Sequence, residues 1–293
     1  MPTLSRRQLL IGALGTLSFG ATTQLLSSCS SGSNSSLNLP DGVQLVQRFP
    51  GLLSPGTVRM PISLANQQGL LTVDAGQQPD VLTAQLVNAD SGEVVVKSLS
   101  AAKHSHDLTI AYWPFRAEIA APGIYSLVVD GGPKDGVAIQ VLDPAQVLVP
   151  KIGTPLPGFD TPTTDNHRGV EPICTRTPEQ CPFHHITLTE ALTIGKPIAY
   201  LVGTPAYCST GVCAPGLEGL ITASDQFGDA FTYLHAEIYI DNTATTVAPA
   251  VKALNMTYEP ALFITDKQGL VTDRLDGVFD ADEIVQRLMA IVR

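Results

Sequence analysis

The chain has 293 residues, 44% hydrophobic and 15% charged, with a formal net charge of −10 at pH 7. That length suits two domains and a tail, and the composition is globular, which excludes a disordered chain or a multi-spanning membrane protein. The acidic balance argues against nucleic acid and against a basic grip on anionic lipid, so any membrane attachment has to come from another device.

Ser5-Arg6-Arg7-Gln8-Leu9-Leu10 sets two arginines before an apolar run from Leu9 to Leu26 that Gly12, Gly15 and Gly20 dilute. So diluted a run makes a poor spanning helix. It resembles a twin-arginine export signal, and Leu26-Ser27-Ser28-Cys29 resembles a bacterial lipobox. The resemblance implies removal of residues 1–28, a lipid on Cys29, and a protein anchored to the cell membrane on its extracytoplasmic face. With Arg6 and Arg7 gone, the net charge becomes two units more negative, −12. Residues 29–42, rich in Ser and Gly, read as a flexible tether. Outside the cytoplasm, paired cysteines can persist as disulfides.

Residues 43–147 read as an all-β sandwich. Short strand-like runs recur at Thr57 to Leu64, Leu82 to Val87, Glu93 to Val96, Ile124 to Val129 and Gly136 to Leu142. Asp90-Ser91-Gly92 and Gly131-Gly132-Pro133 punctuate two hairpins. Ala121-Pro122-Gly123-Ile124-Tyr125 resembles the turn-then-Tyr entry to a late strand of immunoglobulin-like domains. His104 and His106 would share a face on a strand and could then hold a metal. Their neighbours Lys103, Ser105 and Asp107 favour a solvated loop. The domain offers no catalytic constellation and reads as a spacer or docking module.

Residues 148–182 read as a linker, because Pro150 to Gly169 is rich in Pro, Thr and Asp. The rhythm then changes. Thr189-Glu190-Ala191-Leu192 opens a short helix, and Pro197 to Gly203 is an apolar run fit for a buried strand. The cysteine loop follows, Thr204-Pro205-Ala206-Tyr207-Cys208-Ser209-Thr210-Gly211-Val212-Cys213-Ala214-Pro215, and leads into a helix reaching about Ser224. Phe231 to Ile240 is a strand, Val247 to Leu254 a helix, Ala261 to Thr265 and Leu270 to Leu275 a hairpin. Asp280 to Val292 is an amphipathic helix with Asp280 as N-cap.

That order, with a cysteine pair after the central strand and Glu259-Pro260-Ala261-Leu262-Phe263-Ile264 further on, resembles the thioredoxin-like superfamily over residues 183–293. The fold class is therefore an immunoglobulin-like sandwich followed by an α/β thioredoxin-like domain. The resemblance implies that Pro260 follows a cis peptide and faces the dithiol, with Glu259 lining the site. It also implies that Cys208 attacks a partner disulfide and Cys213 resolves it, although Cys213 stands nearer the helix dipole that acidifies thiols. The chain departs from the superfamily in its C-x4-C spacing. On one helix, five steps of about 100° would send the sulfurs apart. Pro215 keeps the helix from starting much before Gly211, so Cys208 falls in the loop and the pair can be bridged. The buried Asp of thioredoxins corresponds to Val202, and Glu237 in the next strand falls near the same place. Glu237 either assists proton transfer there or pairs elsewhere.

Cys174 and Cys181 read as a structural disulfide at the entry to the domain. The rival reading is a metal site, since Cys181-Pro182-Phe183-His184-His185 sets imidazoles beside thiols and copper suits such donors. No metal or cofactor is assigned. The preferred function is a thiol–disulfide oxidoreductase acting on envelope proteins or small thiols and disulfides. One alternative is a copper-chaperone-like protein using Cys208, Cys213 and His235. The other is a surface module whose disulfides are purely structural.

Overall fold

The computed structural model describes residues 39–293 apart from Asp41 and Gln77. The expected export signal, the expected lipid site Cys29 and the expected tether as far as residue 38 lie outside the described residues. None of the described helices is long and apolar enough to cross a membrane.

Eight strands come first: β1 (Gln44–Gln47), β2 (Gly56–Asn66), β3 (Gly69–Leu70), β4 (Val81–Asn88), β5 (Val94–Ala102), β6 (Trp113–Ile119), β7 (Gly123–Val129) and β8 (Val137–Val141). They form two antiparallel sheets. In one, β2 pairs with β1, β3 and β6; the other runs β5-β4-β7-β8. Alternate residues point into a shared core. Leu82 and Leu86 of β4, Trp113 and Phe115 of β6, Leu127 of β7 and Ile139 of β8 are fully buried there. Such alternation marks a sheet with one wet face. β2 breaks it, being buried from Val58 to Ala65, because its second face is covered by the C-terminal part of the chain. At the entry to β7 the Tyr125 hydroxyl donates to Ala121 O at 2.8 Å.

β1, β3 and β6 are additions to the strands expected from the sequence. Pro114 conceals the alternation of β6, since proline ordinarily weakens a strand assignment. Here Pro114 lies opposite Pro61 of β2. Arg48 N donates to Pro61 O at 2.9 Å, so the backbone groups of Pro61 point toward β1. Proline opposite proline therefore removes no hydrogen bond from this ladder.

The C-terminal part contains α1 (Leu188–Ile194), β9 (Ile198–Val202), α2 (Cys213–Phe227), β10 (Thr232–Ala236), α3 (Pro249–Ala253), β11 (Ala261–Thr265), β12 (Val271–Asp276) and α4 (Ala281–Val292). Their sheet runs β10-β9-β11-β12, with β10 parallel to β9 and β11 antiparallel to both its neighbours. β9 and β11 are buried on both faces. Ile198, Tyr200, Val202 and Phe263 feed one core; Ala199, Leu201, Leu262 and Ile264 feed the other, beneath α2 and α4. α1 starts in a capping box, with Thr187 and Glu190 each satisfying the other's backbone N–H. The stretch read as a linker is pinned along β12: Val271 N donates to Thr154 O, Gly153 N to Val271 O and Leu156 N to Gly269 O. Its Val147, Val149 and Leu156 are buried in the first of these cores.

A polar knot ties β2 to the start of α4. Arg59 grips Glu283 with two hydrogen bonds, of 2.7 and 2.6 Å, and donates also to Asp276 O and Val278 O. The Tyr112 hydroxyl donates to Glu283 at 2.7 Å and accepts from Asp280 N at 3.0 Å. His104 corrects the expectation of a solvated loop: it is buried, stacked on Tyr112, with Nδ1 at 2.8 Å from Asp280. The His106 ring is exposed and turned to Asp282, so the two histidines do not converge on one ligand.

Candidate active site

α2 begins at Cys213, with Pro215 as its third residue, where a missing N–H leaves no partner unsatisfied. Ahead of it, Gly211 N donates to Cys208 O at 3.2 Å and closes a turn that puts Gly211 at φ +69°. A side chain is disfavoured at that angle. The turn folds Cys208 back over the helix start, and the Cys213 thiol donates to its sulfur at 2.6 Å. α2 lacks a side-chain N-cap. The Cys208 sulfur takes that place, accepting from the N–H groups of Cys213 and Val212 and lying 3.3 Å from Thr210 Oγ1.

The two thiols are thereby made unlike. The hydrogen bond from Cys213, then those of Thr210 and the backbone N–H groups, pull Cys208 down to about 5 against the opposing effect of burial. Cys213 is buried and pushed up, by the proton it shares with Cys208 and by desolvation. The Glu259–Pro260 peptide is cis. Glu259 Oε2 stands 3.7 Å from Cys213 Sγ, and burial followed by the charge of Cys208 raises this carboxyl to about 7. Gly203, at the end of β9, lets these parts meet: a Cβ there would come within 3.2 Å of Pro260 Cβ and 3.7 Å of Cys213 Sγ.

Glu237 is buried just beyond β10 and its pKa is raised, chiefly by desolvation. It accepts from Thr175 N at 2.6 Å and Thr175 Oγ1 at 2.9 Å, and Thr175 Oγ1 accepts from Ala206 N at 3.1 Å. It thus supports the loop that carries Cys208, while Glu259 is the carboxylate in contact with Cys213.

The other pair, Cys174 and Cys181, expected as a structural disulfide, is buried and, like Cys208 and Cys213, has free sulfurs in this structure. Their sulfurs gather instead with His184 and His235, all four donor atoms lying within 4.8 Å of one another. His185, the second imidazole of the local motif, is exposed. A hydrogen bond from Cys181, then the two imidazoles, lower the pKa of Cys174, while retention of that proton and burial raise Cys181. The copper-chaperone alternative expects His235 beside Cys208 and Cys213. His235 belongs to this second cluster, and Glu259 is the third donor-type group at Cys208 and Cys213.

The segment between β5 and β6 also touches the site. Leu108 and Tyr112 pack with Val212 and Val278, and Cys208 lies against them. Two cavities flank Glu259. One, of about 410 Å³, is lined by Ser209, Ile238, Tyr239, Val251, Met256 and Tyr258 among others. The second, of about 230 Å³, runs between Arg48, Phe49 and Pro50 on one side and Thr210, Val212 and Val278 on the other.

No family model matches the chain, and no curated protein does. Among solved structures it is similar to a thiol:disulfide interchange protein of the thioredoxin family from Chlorobium tepidum TLS, with 14% identity and a TM-score of 0.35, covering 49% of this chain and 99% of that one. Likeness at that level leaves the site to be read from its own geometry.

Proposed function

We propose that the chain is a thiol–disulfide oxidoreductase, anchored by a lipid on Cys29 to the extracytoplasmic face of the membrane. In this reading a thioredoxin-like domain carries the dithiol and an immunoglobulin-like sandwich walls one side of it. The observation that carries the reading is the pairing of a half-exposed, acidified Cys208 with a buried, protonated Cys213 at 2.6 Å, where a core strand hands over to a helix start. A purely structural disulfide has no use for that asymmetry. A nucleophile with a resolving partner needs it.

The Cys208 thiolate attacks one sulfur of a partner disulfide, and the S–S bond breaks to give a mixed disulfide and a departing thiolate that takes up a proton. Cys213 then loses its proton to Glu259, attacks Cys208 Sγ, and expels the second partner thiolate. Two electrons pass to the partner, and Cys208 and Cys213 end bridged. The same steps run backward when the partner is the reductant. The cavity beside Glu259, with Ile238, Val251 and Met256 in its wall, suits an apolar stretch of polypeptide next to the exchanging sulfurs.

Insulin reduction with dithiothreitol as electron source tests the reading. Wild type is expected to accelerate it, Cys208→Ser to abolish the acceleration, and Cys213→Ser to accumulate a mixed disulfide. Equal turnover in wild type and Cys208→Ser would overturn it. The anchoring is tested separately: Cys29→Ala should move the protein from the membrane fraction to the soluble one.

A further inference from the structure

We infer that Cys174, Cys181, His184 and His235 form a closed tetrahedral zinc site, separate from the exchanging dithiol.

The distances argue for it first. With Zn–S of about 2.3 Å and Zn–N of about 2.05 Å, a tetrahedron has edges of about 3.3 Å between nitrogens, 3.5 Å between nitrogen and sulfur and 3.8 Å between sulfurs. Here His184 Nε2 and His235 Nδ1 are 3.3 Å apart. Cys181 Sγ lies 3.3 Å from His184 Nε2 and 3.5 Å from His235 Nδ1. Cys174 Sγ completes the group within its 4.8 Å span and accepts from Cys181 N at 3.4 Å, an N–H bond suited to a bound thiolate.

The ring chemistry argues for it second. His235 Nε2 lies 3.0 Å from Gly203 O, an acceptor, so that nitrogen carries the proton and Nδ1 turns its lone pair into the cluster. A carbonyl that fixes the tautomer of a ligating imidazole is the usual support of a metal ligand. His184 Nδ1 is buried without a hydrogen-bond partner among the described residues, so the polar contacts of this ring are those Nε2 makes inside the cluster. The His235 lone pair, His184 Nε2 and the two sulfurs thus converge as four buried donors of the kind that bind metal. A divalent cation engages all four at once.

Charge selects the ion. Two thiolates and two neutral imidazoles cancel the +2 of zinc, which makes full burial tolerable. On binding, each thiol releases a proton to solvent and no oxidant or reductant is required. All four positions are filled by protein, the mark of a structural site rather than a catalytic one. The site joins the segment around Cys174 to β10, and the adjoining Thr175 reaches Glu237 and Ala206, at the base of the Cys208 loop.

The test is metal content in the full chain carrying Cys29→Ser, Cys208→Ser and Cys213→Ser, which leaves Cys174 and Cys181 as its only thiols. About one zinc per chain is expected, and cobalt(II) in its place should give the strong visible bands of a tetrahedral ion with thiolate-to-cobalt absorption in the near ultraviolet. Adding Cys181→Ser should abolish that near-ultraviolet intensity or weaken it severalfold. A metal-free chain isolated with Cys174 and Cys181 bridged would overturn the site, as would cobalt bands of octahedral, sulfur-free type. Zinc bound by wild type but lost from the triple variant would place the metal at Cys208 and Cys213, and would also refute it.

Discussion

Replacing Cys213 by Ala removes the interaction that contributes most to holding Cys208 as a thiolate, while Thr210 and the backbone N–H groups at positions 212 and 213 stay in place. A hydrogen bond to a charged group is worth about 1.5–3 kcal/mol, or about 1–2 pH units of titration. The midpoint of Cys208 alkylation should therefore rise from about 5 to between about 6 and 7. The rate does not simply fall with it, because a more basic thiolate is a better nucleophile, by a Brønsted slope of about 0.4–0.5. For a rise of about 1.5 units, each thiolate becomes about fivefold more reactive while the ionised fraction at pH 7 drops only to about three quarters. The variant should then react about threefold to fourfold faster than wild type at pH 7 and about sixfold slower at pH 4, the two curves crossing near pH 6. Iodoacetamide labelling of the reduced proteins across that range, with the adduct mapped to Cys208, measures both curves. A wild-type midpoint above pH 8, or parallel curves that never cross, would refute the hydrogen-bonded thiolate.

Three other outcomes follow from the same contacts. Glu259→Gln takes away the base beside Cys213 and should slow resolution of the mixed disulfide by about 100-fold, seen as a longer-lived adduct after quenching, with the alkylation of Cys208 retained. Glu283→Leu strands the buried Arg59 charge and should cost about 3–5 kcal/mol in urea unfolding, while Arg59→Met together with Glu283→Leu should recover most of it. A single-variant cost under about 1 kcal/mol would mean that the two parts of the chain do not dock through this pair. His104 has its pKa raised against burial by Asp280, so its contribution is full below its ordinary 6.5 and is lost as pH rises through the raised value. Asp280, lowered against burial by His104, contributes fully above 3.8 and loses that contribution as pH falls through its depressed value. Melting temperature should therefore fall at both ends of the range, and His104→Gln should flatten the alkaline limb; an unchanged alkaline slope would exclude His104 as its source.

What the sequence discloses about the site is local. Pro215 limits where α2 can start, and with Gly211 it implies that Cys208 folds back rather than riding the helix. The pair Glu259-Pro260 stands out in one dimension because it directly precedes an apolar strand. What it conceals is pairing at long range. Cys181 and His184 are neighbours in the chain, but His235 reaches them only by packing of β10 against their segment, where His235 N donates to Phe183 O, and nothing near His235 announces it. The same holds for His104, whose charged neighbours suggest solvent until Asp280, from the far end of the chain, closes over it. Strand β6 was hidden for another reason: Pro114 reads as a breaker until the facing Pro61 shows that no ladder bond is spent there.

The two cysteine pairs differ in what surrounds their sulfur, and that difference sorts their chemistry. Around Cys208 the neighbours are donors: the Cys213 thiol, the hydroxyl of Thr210 and two backbone N–H groups. Donors stabilise a thiolate with no counter-ion and leave its lone pairs open to an incoming disulfide, since the residue is half exposed. Around Cys181 the neighbours are imidazole nitrogens, one of them a lone pair by virtue of its partner nitrogen's bond to Gly203 O. A lone pair cannot hold a thiolate unless a proton or a metal stands between them, and full burial denies an attacking partner access in either case. Sulfur at one pair is therefore free to change partners, while at the other it is committed to a fixed centre. Thr175, bonded to Glu237 and to Ala206, joins the two, so the closed centre can hold still the platform over which the open one reacts.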